Sequence, residues 1–225
     1  MGWKIVLIDK TTGSRVPPGQ LQQIAVALQQ QVDNDLAPVW GVRADISAPA
    51  AEDAIPPDAW QVNVVDSLPG GDGQDDGVHP LDEQGNPTAE VVNDATLSIT
   101  ISHEVLEMLV DPWDNRFTRG PDIDTDFPGR QVFYLVEVCD PCEGSHYPID
   151  GVQVSDFVRP SFYDPNAVAP FDHLGTLAGP LKVPQGCYIS WIDPTDGQWH
   201  RLMGDGSVVT GDDSRPQPRK DRRKA

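Results

Sequence analysis

His103, Glu104 and Glu107 stand together in the run Ser102-His-Glu-Val-Leu-Glu-Met-Leu-Val-Asp-Pro112. On a helix, residues four apart lie on one face, a single turn from each other. That spacing brings the His103 imidazole and the Glu107 carboxylate to one point, and both groups are good zinc donors. Glu104 projects beside them, placed to reach a water next to the cation. The pattern is that of H-E-x-x-H with glutamate in place of the second histidine. Three such letters recur by chance on charged helix faces, but the neighbours here are Ile101, Val105, Leu106, Met108, Leu109 and Val110. One imidazole and two carboxylates are costly to bury in such company unless they are paired or metal-bound. A buried His–Glu hydrogen bond is the plain alternative. The expectation is a metal site holding zinc or another divalent ion, with Glu104 as general base.

A further ligand must come from elsewhere. Asp111 is two turns from His103, about 12 Å along a helix axis. The bent-back design H-E-x-x-H-x-x-G-x-x-H has Val110 where its glycine belongs and Trp113 where its last histidine belongs. Glu137 and Asp140, in Glu137-Val-Cys-Asp-Pro-Cys-Glu143, are the better candidates, and the sequence does not choose between them. His146, His173, Tyr147 and Tyr163 are secondary candidates for orienting an oxyanion, and His79 is unassigned. Cys139 and Cys142 form a single C-x-x-C, half of a structural zinc site. Asp140-Pro141 and Gly144 oppose the helix that a redox motif would open, so two thiols at a turn is the favoured reading.

The elements that must position these groups follow from pattern. Lys4–Asp9 is an apolar, β-branched strand. Leu21, Ile24, Ala25, Leu28, Val32 and Leu36 recur at helical spacing. Val39–Ile46 and Trp60–Asp66 read as strands, with an Ala/Pro loop between them. Leu68–Gly77 is a Gly/Asp loop without the closing glutamate of a calcium loop. Pro87–Val92 reads as a short edge strand, because proline precedes it. Ala95–Val110 is a central, largely apolar helix, N-capped by Asn93 or Asp94 and ended by Pro112. Beyond it Gln131–Val138 is a strand, and Tyr147–Ser155 is a hairpin about Asp150-Gly151. Cys187–Ile192 and Gln198–Met203 pair across Asp193–Gly197. The expected architecture is α+β: a mixed twisted sheet with a central metal-binding helix in residues 1–110, an irregular, hairpin-rich C-terminal lobe in 111–212, and a disordered basic tail in 213–225.

Bulk properties exclude some functions. The 225 residues carry 35 acidic and 16 basic side chains, a formal net charge of -19. Such a surface repels phosphate backbones, so nucleic acid is not an expected partner. No run approaches the roughly 18 apolar residues of a membrane span, and the start of the chain lacks a signal peptide. A cytoplasmic origin is expected.

The same residues carry a resemblance. The order strand, helix, two strands, edge strand and metal helix is similar to the N-terminal lobe of zincin metallopeptidases. Ser102–Pro112, Glu137–Glu143 and Val152-Gln-Val-Ser-Asp-Phe-Val158, with Gly77-Val-His-Pro and Gly85-Asn-Pro-Thr-Ala-Glu-Val91 upstream, resemble a zincin-like, HExxE-variant family of bacteriophages and bacteria across roughly residues 1–200. The resemblance implies a zincin-like fold and a zinc peptidase acting on a peptide or protein substrate. The alternative it implies is a non-catalytic assembly protein, incorporated in a phage virion among neighbouring virion proteins. Glu107 is the departure from standard zincins.

Overall fold

The computed structural model describes residues 2–13, 15–49, 55–68, 76–123 and 129–211. The expected basic tail lies outside them, as does most of the Gly/Asp loop. The protein is mixed α+β, with more sheet than helix. Its described residues divide into two compact units: those up to Trp113 with His146–Ser155, and Asp114–Ser145 with residues 156–211. The hairpin expected in the C-terminal lobe therefore groups with the first unit. Among the described residues no helix is long and apolar enough to cross a membrane.

The first unit is built on a five-stranded sheet. Its strands are β1 (Trp3–Asp9), β2 (Ala44–Ser47), β3 (Trp60–Val65), β4 (Gly77–Val78) and β5 (Thr88–Val92), in the order β2-β1-β3-β5-β4. All pairs are parallel except β4 with β5. Ile5, Val6, Leu7 and Ile8 of β1 are all buried, as a central parallel strand covered on both faces requires. β5 sits between β3 and β4, which corrects the expected edge strand. Proline at a strand's entry forfeits only a donor that the ladder does not need, so Pro87 does not force its strand to the rim. The edge is β4, which sequence pattern left inside the Gly/Asp loop.

Helix α1 (Gln20–Gln31) continues through a π turn (Val32–Leu36) into α2 (Ala37–Trp40). Val39 and Trp40 thus finish a helix, where a strand was expected. Pro38 lies in the first turn of α2, where a missing N–H costs nothing. Helix α3 (Leu97–Val110) packs on β4, β5 and the hairpin of β8 (His146–Ile149) and β9 (Val152–Ser155). Asp150 and Gly151 both have positive φ, the turn conformation that Asp-Gly favours between hairpin strands. The α3 N-cap position is Thr96. Asp94, expected to cap the helix, instead accepts from the Thr96 N–H and Oγ, closing the turn just before it.

One buried polar network ties α3 to α1 and the hairpin. Ser102 Oγ donates to Gln31 Oε1 at 2.8 Å and accepts from the Ser155 N–H at 3.0 Å. Gln31 Nε2 donates to the Ser155 carbonyl at 2.8 Å and to Tyr147 Oη at 3.2 Å, and Tyr147 Oη donates to Asp35. Tyr147 is therefore a packing residue. Gln31 is fully buried, so Gln31→Ala strands the hydroxyl of Ser102 and the carbonyl of Ser155. The expected cost is about 3 kcal/mol, seen as a lower urea midpoint at an unchanged denaturant slope.

The second unit carries an antiparallel sheet of β6 (Phe117–Pro121), β7 (Gln131–Leu135), β10 (Tyr188–Ile192), β11 (Trp199–Met203) and β12 (Val208–Thr210), in the order β12-β11-β10-β7-β6. The expected pairing of the last two long strands across Asp193–Gly197 is present. Val132, Tyr134, Ile189 and Trp191 face inward, alternating as a one-sided sheet demands. β6 escaped the sequence reading because Gly120 and Pro121 are depleted in strands.

Candidate metal centre

Helix α3 presents His103, Glu104 and Glu107 as its periodicity requires, and the first unit adds His79. His79 directly follows edge strand β4, whose pairing with β5 carries it to the helix. Its Nε2 lies 3.3 Å from Glu107 Oε2. His103 Nε2 lies 3.2 Å from the same oxygen. Two imidazole nitrogens therefore converge on one carboxylate oxygen. His79 and Glu107 side chains are 2% and 4% exposed, whereas His103 is 14% exposed, so solvent reaches the group from the His103 side.

Both separations suit buried His–Glu hydrogen-bonded pairs and equally donors beside a cation. Glu107 brings a ligand atom within 4.8 Å of one on His79 and of one on His103, but the two imidazoles do not join it in a single three-ligand group. Burial acts to raise the pKa of Glu107, but the charge and hydrogen bonding of His103, with those of His79, outweigh it. The carboxyl is held well below its ordinary range and is ionised, as a ligand must be.

Glu104 is buried beside edge strand β4. A Cβ built on Gly77 would meet Glu104 Oε1 at 2.5 Å and Thr100 Cγ2 at 2.6 Å. Gly77 is thus a matter of space: only a residue without a side chain lets the carboxylate lie against the strand.

The second unit holds the other expected site residues. Glu137 follows β7 by two positions and is buried, and its carbonyl accepts from Tyr163 Oη at 3.1 Å. Tyr163 thereby orders backbone. Asp140 opens a buried 3-10 turn, Asp140–Cys142. Cys139, Cys142 and Cys187 are all buried thiols, in keeping with the reading of C-x-x-C as a turn. His146, back in the first unit, is exposed on β8 and bonds Gln153, and His173 of the second unit stacks on Phe157. Asp193, Asp196 and His200 bring ligand atoms within 4.8 Å of one another. There, however, Arg130 Nη1 lies 2.6 Å from Asp193 Oδ2, and Thr195 occupies Oδ1. A guanidinium already supplies the cation, and it would repel a second one.

Sequence reasoning left His79 unassigned, and its place against Glu107 was not foreseen. Its neighbours Gly77 and Val78 form a strand too short to show a period, although Gly77-Val-His-Pro was among the segments carrying the resemblance. Compared with protein-family models, curated proteins and solved structures, the chain matches none.

Proposed function

We propose that His103 and Glu107 hold a divalent metal ion, zinc in the first place, and that the first unit is a zincin-like metallopeptidase with Glu104 as its proton acceptor. The observation that carries this reading is His103 Nε2 3.2 Å from the buried Glu107 Oε2, two zinc-donor types one turn apart on an apolar helix. The order of strands leading to α3 supports it as well. A helix supplying His and Glu needs a further donor, and a second carboxylate there would leave the bound water less acidic than a second imidazole would.

Bound zinc supplies two things: a water whose pKa falls toward about 7, and polarisation of the scissile carbonyl. The chain's own residues do the rest. The Glu104 carboxylate takes a proton from the attacking water and delivers it to the leaving amine nitrogen as the C–N bond breaks. Among the described residues β4 pairs only with β5, so its outer edge beside Glu104 receives an extended peptide through main-chain hydrogen bonds.

The test is elemental analysis and proteolysis together. Protein purified without added metal is expected to carry about one zinc per chain, set by the single tetrahedral donor set. It should cleave an unstructured protein such as casein, stop on chelation and recover with zinc. Absence of metal at saturating zinc sinks the reading. Bound metal without cleavage by any preparation favours the alternative, an assembly protein of a virion that retains the scaffold.

A further inference from the structure

In the second unit, Asp156 and Asp172 are both fully buried, and their carboxyl groups lie within hydrogen-bond reach of each other. Two ionised carboxylates in contact without water repel strongly, and a carboxyl–carboxylate pair removes that cost with one proton. The surroundings decide which partner is charged. Asp172 Oδ2 accepts from the Thr176 N–H at 2.8 Å and Oγ at 2.7 Å, and Oδ1 accepts from the Leu177 N–H at 3.1 Å. Asp156 Oδ1 accepts two backbone contacts, from the Phe157 N–H at 2.8 Å and the Leu174 N–H at 3.2 Å. Asp172 is thus the better solvated anion and Asp156 the acid.

We propose that Asp156 and Asp172 share one proton as a latch that clamps the 171–177 segment onto residues 156–158 and weakens as pH rises from acid to neutral. The clamp joins two otherwise irregular stretches. Leu174 N–H reaches across to Asp156, and His173 N–H donates to the Phe157 carbonyl. The 156–158 stretch in turn holds the backbone after β7, through Val158 N–H to the Val138 carbonyl at 2.7 Å. Two other titratable or charged groups face the pair within this unit. Arg159 donates from Nε to the Asp172 carbonyl, not to its carboxylate, and the His173 ring stacks on Phe157. Neither neutralises the pair.

The direction of the effect follows from linkage. Burial, with the neighbouring Asp172 carboxylate, pushes Asp156 up to about 7, while its backbone hydrogen bonds pull the other way. The unfolded chain loses that proton near the ordinary value of 3.8. Between the two values the folded state holds a proton that the unfolded state lacks. The latch's contribution is therefore complete at low pH, falls as pH rises through the window, and is gone above about 7. The unfolding equilibrium constant should grow up to tenfold per pH unit from this pair alone.

The experiment is urea unfolding of the full chain from pH 5 to 8.5, with carbon-detected NMR of the aspartate carboxyls. Wild type is expected to lose stability with rising pH, with one carboxyl titrating near neutrality. Asp156→Asn supplies the hydrogen bond without a proton to lose, so it should flatten the profile and be the more stable protein at pH 8. Asp172→Asn, which removes the anion instead, should return the Asp156 titration to lower pH. Identical slopes in wild type and Asp156→Asn overturn the latch, as does the absence of any aspartate carboxyl titrating above pH 6. These readouts involve no metal and no hydrolysis, so they stand apart from the peptidase proposal.

Discussion

Glu107→Ala is expected to abolish metal binding, taking zinc from one ion per chain to near none. Glu107 is the common partner of both imidazoles, 3.3 and 3.2 Å away. No other side chain of α3 has that position. The loss should also appear in stability. Removing one partner of a buried charged group typically costs about 3–5 kcal/mol, which for a chain of this size is a fall in Tm on the order of 10 °C. Wild type treated with chelator should lose Tm as well, whereas the variant should not respond to chelator. If Glu107→Ala kept full zinc, the centre would lie elsewhere. If both proteins ignored chelator, the cluster would be a buried His–Glu–His hydrogen-bond group.

Glu104→Gln should give the opposite pattern: zinc retained and hydrolysis lost. The amide has the same shape, so it fits against Gly77, where a Cβ would approach Oε1 to 2.5 Å. It cannot take a proton. General-base catalysis of this kind contributes about 10²–10⁴-fold, so cleavage should fall by that factor at unchanged metal content and Tm. Residual activity within tenfold of wild type would remove Glu104 from the mechanism. Loss of zinc along with activity would make it a ligand instead.

The helical part of this centre was legible because its signal is local. An apolar run of helical length, broken by three polar groups one turn apart, needs nothing distant to be noticed. The central strands were legible for the same reason: Ile5–Ile8 and Val62–Val65 announce burial by composition. What could not be read was anything set by pairing between distant segments. His79 meets Glu107 only because two residues of β4 pair antiparallel with β5, and a two-residue strand has no period. The edge position of β4 and the internal position of β5 share this origin, since strand order depends on long-range hydrogen bonds. Val39 and Trp40 failed differently. Their apolar character suits either element, and the π turn before them kept the helix going past the point where its stripe fades. The Asp156–Asp172 pair was invisible, because sixteen positions of irregular chain separate two unremarkable aspartates.

The return of His146–Ser155 to the first unit carries a consequence for how the chain must be made. Helix α3 is anchored through Ser102 and Gln31 to a strand emitted long after it, with Asp114–Ser145 as an insertion in the sequence between them. During synthesis α3 therefore leaves the ribosome with one flank bare and waits for β9 before its buried hydroxyl has a backbone amide to receive. A fragment ending at Trp113 contains every proposed zinc donor of the first unit, yet lacks the piece that holds their helix in place.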